Sequence, residues 1–120
     1  MEFVGFNPHT IHANAHCRKY NHIDKTAQSG QIEVENLTAA FHVYAIEWFP
    51  DRIDFFFDDE KYHTFHNDGT GREAWPFDQP HYLILNLAIG GAWGGKEGVD
   101  DAIFPQQYLI DYVRVFQQTE

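Results

Sequence analysis

Alternation of apolar and polar side chains is the main signal along this chain, and it predicts strands rather than helices. From Thr10 to Arg18, Ile11, Ala13, Ala15 and Cys17 fall on one side, and Thr10, His12, Asn14, His16 and Arg18 fall on the other. That is one apolar face backed by one hydrogen-bonding face. A shorter extended piece, Met1 to Val4, precedes it, with Glu2 and Val4 on one side. The turn Asn7-Pro8 separates the two. If these pieces pair, Glu2 shares a surface with the His/Asn face. A weak edge strand is expected near Gln31 to Glu35, after a long polar loop from Tyr20.

Three further strands form a meander. Phe41 to Phe49 carries Tyr44, Ile46 and Trp48 on one face; Pro50-Asp51 turns the chain into Ile53, Phe55 and Phe57; Asp58-Asp59-Glu60 turns it again into Lys61 to His66. Tyr82 to Ile89 is a near-continuous apolar run and predicts a strand buried on both sides. Asn86 interrupts it, and a buried amide must find partners or lose roughly 1–3 kcal/mol. The run ends in Gly90-Gly91-Ala92-Trp93-Gly94-Gly95, a loop of glycines around one large ring. Tyr108 to Phe116 alternates as a last strand, with Asp111 on an otherwise apolar side. Short strands divided by turns, with no convincing helix and no repeat, predict an all-β antiparallel sandwich in a single domain over residues 1–120.

Composition narrows the chemistry. Eleven Phe, six Tyr and three Trp can fill a core from few positions and favour strands. With 8 basic against 18 acidic residues and no basic run, a nucleic-acid backbone is not the expected partner; an acidic surface suits a neutral ligand. There is no apolar run long enough for a membrane helix, and no secretory leader is expected. Cys17 is a lone cysteine, so no internal disulfide forms. Eight histidines raise a metal reading, but recognised zinc spacings are absent, and a polar cleft face explains His12 and His16 better. An amide beneath a glycine-mounted Trp fits the floor of a carbohydrate cleft. A core strand followed by an ordinary loop fits equally well. Glu2, taken alone, is one carboxylate without a visible partner, whereas two-carboxylate glycoside hydrolysis needs a pair.

Five stretches in order carry a resemblance: M-E-F-V-G-F-N-P-H-T-I-H-A-N-A-H, Y-N-H, F-H-V-Y-A-I-E-W-F-P-D-R-I-D-F-F-F-D-D, W-P-F-D-Q-P-H-Y-L-I-L-N-L-A-I-G-G-A-W-G-G and F-P-Q-Q-Y-L-I-D-Y-V-R-V-F-Q. Together they resemble glycoside hydrolase family 16, and within it the laminarinase-like endo-β-1,3-glucanases. The resemblance implies a concanavalin A-like jelly roll and covers the C-terminal half of that domain, so the sandwich is expected to be incomplete, without its N-terminal strands. The family's catalytic strand reads E-I-D-I-M-E, and Met1-Glu2 matches its last two letters. Glu2 is thereby implied to be the general acid/base of a retaining mechanism, with the nucleophile and its assisting Asp expected before Met1.

The same resemblance implies substrate contacts for His16, Asn86, Trp93 and Trp75, and a share for Asp111 in a structural calcium. No cofactor is expected for catalysis. β-Glucan is the implied partner and the extracellular space or periplasm the implied location. Two alternatives stay open beside a hydrolase half-domain: a non-catalytic β-glucan-binding module, and a fragment that does not fold unless its unpaired sheet edges join a second copy.

Overall fold

The computed structural model describes residues 1–119. Six strands form in chain order: β1 (Glu2–Phe3), β2 (Thr10–Asn14), β3 (Ser29–Glu33), β4 (Tyr44–Trp48), β5 (Arg52–Phe57) and β6 (Glu60–His66). They make two antiparallel three-stranded sheets, ordered β1-β2-β3 and β4-β5-β6. One 3₁₀ turn, Asp101–Ile103, is the helical element among the described residues, capped by the Asp100 carboxylate accepting from the Ala102 amide. No helix among them is long and apolar enough to cross a membrane.

Residues 1–84 and the described residues 85–119 form two compact units. All six strands lie in the first. Its core is the set of side chains the alternation predicts. Ala13 and Ala15 from β2 and the residue after it meet Ile53 and Phe55 of β5 and Phe65 of β6, while Ile11 meets Phe57 and Leu37. The inward faces of the two sheets therefore pack on each other as a sandwich. Gly30 of β3 is where the layers come closest. A Cβ built there would lie 2.4 Å from the His63 ring and 2.5 Å from its Cβ, so only a glycine fits. The β5–β6 hairpin turns through Asp58, which takes a positive φ of 49° while its carboxylate accepts from the Val43 amide. A register shift at Phe55/Phe56 bends β6.

Two expected strands are absent. Residues 82–89 adopt no ladder, and Tyr82, Ile84 and Ile89 are each more than 60% exposed, so the run is not buried on both sides. Residues 108–116 likewise pair with nothing among the described residues, and both alternating faces are exposed, Leu109 and Val113 as much as Ile110 and Tyr112. The physical reason is common to both. Strand identity comes from a neighbour's backbone hydrogen bonds, and high β-propensity does not supply the neighbour.

Candidate functional site

The first sheet sets one polar surface. Antiparallel pairing puts Glu2 of β1 opposite His12 of β2, and His12 opposite Gln31 of β3; Asn14 stands opposite Ser29. Directly paired residues share a face, and residues two apart along a strand do too. Glu2, His12, Asn14, Gln31 and Ser29 therefore stand on one side of the sheet, with Ile11 and Ala13 buried on the other. The fully buried Thr10 closes one end of this surface and donates its hydroxyl to Glu33 at 2.8 Å. At the other end β2 runs on to His16, which is exposed. The His22 ring stands edge-on to His16, with centroids 5.5 Å apart and planes at 80°.

The long polar loop expected from Tyr20 thus brings a second histidine to His16. No local pattern signals it, because the contact depends on how the loop folds back.

Glu33 is the other carboxylate on this face of the sheet. It lies two strands across and two residues along from the level of Glu2. With strands ~4.8 Å apart and a rise of ~3.3 Å per residue, that is roughly 10 Å or more, beyond the ~5.5 Å of a retaining pair. The carboxylates with depressed pKa values lie elsewhere. Asp54, 2% exposed, is on the outer face of β5. Burial pushes its pKa up, but hydrogen bonds from Thr64 (2.5 Å) and Arg52 (3.0 Å) and the charge of Lys61 outweigh that and leave it lowered. At the hairpin turn, the Val43 amide and then the His42 ring lower that of Asp58. Beneath Gly30, burial lowers the pKa of His63 despite its contact with the Gln28 carbonyl.

Trp75 is not at the surface. It is 5% exposed, stacked on Phe65 at 5.8 Å and 8°, with Phe77 edge-on at 5.3 Å. Both its faces and its setting are those of a core residue, which corrects the expected sugar contact for this ring.

In the second unit, the glycine loop is tightly coiled. Gly90 and Gly91 have φ of 70° and 82°, and the Gly95 amide donates back to the Gly91 carbonyl at 3.0 Å. A Cβ at Gly95 would meet the backbone of Gly90 and Gly91 at 2.9 Å, so the turn requires a glycine there. Trp93 sits on this turn, 42% exposed, its carbonyl accepting from the Lys96 amide at 3.2 Å. Asn86 is exposed rather than enclosed in a buried strand, so its amide carries no burial penalty. Asp111 stands in an exposed segment. Calcium takes six to eight oxygen ligands. Among the described residues no group of three or more His, Cys, Asp or Glu side chains, Asp111 included, is gathered as a metal site.

Comparison with known proteins decides the family. The model for glycosyl hydrolases family 16 matches residues 1–114. The chain belongs to glycosyl hydrolase family 16. A beta-glucanase of Rhodothermus marinus is 50% identical over 125 residues, which cover 100% of this chain and 44% of that protein. The X-ray structure of the Rhodothermus marinus laminarinase superposes with a TM-score of 0.82 at 46% identity, covering 86% of this chain and 43% of that one. SCLam, a non-specific endo-beta-1,3(4)-glucanase of family 16, superposes with a TM-score of 0.78 at 43% identity, covering 84% and 38%. The chain thus spans less than half the length of these relatives. Its two-sheet sandwich is the part of the family fold that the shared sequence encodes.

Proposed function

We propose that this chain carries the acid/base side of a retaining β-1,3-glucan hydrolase site. The observation that carries the reading is the β1–β2 register, which puts Glu2 on the same face as His12 and Asn14, in a chain of family 16. In this reading the Glu2 carboxyl gives its proton to the leaving glycosidic oxygen. A second carboxylate attacks the anomeric carbon and holds the sugar as a glycosyl-enzyme. Glu2, now ionised, then takes a proton from the water that releases the sugar. His16 offers a ring nitrogen to sugar hydroxyls. The second unit, taken by itself, offers the Asn86 amide for a sugar hydroxyl and the Trp93 ring for a pyranose face. The relatives' names, beta-glucanase and laminarinase, support β-glucan as the polymer and, with it, a place outside the cytoplasm where such polymers occur.

Among the described residues no second carboxylate on the sheet that bears Glu2 is near enough to be that nucleophile, Glu33 lying too far away. By itself, then, the chain binds glucan and does not cleave it. Incubation with laminarin should release reducing ends no faster than the Glu2→Gln variant does. Release at the rate of a full-length relative, abolished by Glu2→Gln, would overturn this part of the reading and make the chain a complete catalyst.

The same observation favours a second reading, a β-glucan-binding module that uses the polar face without chemistry. Adding a polypeptide that supplies the missing carboxylate distinguishes the two. Restored hydrolysis that needs Glu2 supports the enzyme half-site; binding without any hydrolysis supports the module.

A further inference from the structure

The loop that carries His22 is braced by its own hydrogen bonds. The Asn21 side chain spans it, donating to the Arg18 carbonyl at 3.0 Å and the Asp24 carboxylate at 2.9 Å while accepting from the Asp24 amide at 2.9 Å. The Thr26 hydroxyl donates to the Lys19 carbonyl at 2.7 Å and accepts from the Asn21 amide at 3.1 Å. Lys25, with φ of 57°, completes the turn over the His22 carbonyl.

One side chain outside the loop, Asp68, takes hydrogen bonds from two of its residues. Asp68 stands in the turn after β6, some 48 residues further along the chain. Its Oδ2 accepts from Lys19 Nζ at 2.5 Å and from the Tyr20 hydroxyl at 2.5 Å; its Oδ1 accepts from the Thr70 amide at 2.9 Å and the Thr70 hydroxyl at 2.7 Å. Lys19 reaches the Thr70 hydroxyl as well, at 2.8 Å. These four donors, Lys19 first, hold the Asp68 carboxyl well below the usual carboxylate range. The Lys19 amide donates to the Glu73 carbonyl at 2.9 Å beside this contact, and the Tyr20 ring stands edge-on to the core Phe65 at 5.8 Å.

We propose that Asp68 is a positioning residue: by clasping Lys19 and Tyr20 it holds the His22 loop so that the His22 ring stays against His16 at the end of the Glu2 face, fixing a sugar-contacting edge there. The clasp touches no substrate. It acts through Lys19, Tyr20 and the braced loop. The inference rests on the glucan reading for its ligand, but the ring contact itself does not.

The decisive variant is Asp68→Asn. Whichever way the amide turns, one pair of donors faces an NH₂ group instead of an oxygen. In the whole chain, the His16 and His22 imidazole signals are followed by NMR together with affinity for laminarihexaose. The expected result is loss of the cross-ring contact between His16 and His22 in Asp68→Asn, unchanged amide signals for β4 and β5, and an affinity weakened about five-fold, the equivalent of one hydrogen bond. Tyr20→Phe keeps the ring on Phe65 and removes a single donor. It should show the same ring change in smaller measure, and it decides the matter if Asp68→Asn does not fold. An unchanged His16–His22 contact in the variants overturns the proposal. So does a lost contact with undiminished affinity, because the clasp would then not serve the sugar edge. If the unmodified chain binds no laminarihexaose, the glucan reading falls, and the ring contact alone decides whether Asp68 positions His22.

Discussion

Gly30 shows how one atom can decide the packing of two layers. Replacing a strand glycine with alanine ordinarily stabilises by about 0.5–1 kcal/mol through backbone entropy. Here the added methyl meets the Cβ, Cγ and Nδ1 of His63 at 2.4–2.6 Å, the base of the ring and not a movable tip. Overpacking of this kind costs about 1–3 kcal/mol, so the clash wins. Gly30→Ala should unfold at lower urea than the parent, and Gly30→Ala with His63→Ala should recover part of the loss. Tyr62 gives the opposite sign. Its hydroxyl is buried and makes no hydrogen bond within the structure, and burial, followed by the neighbouring Tyr44, pushes its pKa up to about 12. Tyr62→Phe should be neutral or stabilising by about 1 kcal/mol in the same urea experiment.

The hairpins of the β4–β6 meander were legible in the sequence at the level of elements. Alternation set the faces, and Asp51 and Asp58-Asp59 set the turns, because every pairing there joins neighbours in the chain. The β1–β2 pairing was legible for the same reason, and with it the place of Glu2. The runs at 82–89 and 108–116 were not, since a strand pattern cannot state which strand it will pair with. The His22 contact and the Asp68 clasp were invisible because they join loops with no periodicity.

The clasp and the hairpin turn also carry the pH dependence. Asp68, Asp58 and Asp54 all have depressed pKa values. Their contribution is complete above the unfolded carboxylate value of ~3.9 and is lost as pH falls through the folded values. His63, lowered by burial, adds a loss that begins as pH falls below ~6.5. Tyr62, raised, contributes below ~10 and loses its contribution as pH climbs towards 12. Thermal melts should therefore give the highest midpoint between about pH 7 and 9. The acid limb below pH 4 should be shallower in Asp68→Asn; an acid limb identical in the two would remove Asp68 from this account.

Large apolar side chains stand uncovered in each of the two units. On β4, Tyr44, Ile46 and Trp48 lie on the inward face of their sheet yet are 44–49% exposed, and the two long apolar runs are open as well. Exposed apolar side chains gathered on one strand face invite contact with other polypeptide. A formal charge of −10 opposes self-association at low ionic strength, and salt screens that repulsion. Sedimentation should show species larger than a monomer, growing with protein and salt concentration. A monomer at high concentration in 0.5 M salt would contradict it.

We propose that this family 16 chain bears a glucan-recognising surface. Trp fluorescence during titration with laminari-oligosaccharides tests it most directly, because Trp93 is the exposed ring assigned to the sugar. The account predicts a saturable change that is lost in Trp93→Ala while the far-UV circular dichroism of that variant stays that of the parent. A flat titration in the parent, or a response that survives Trp93→Ala unchanged, would contradict it.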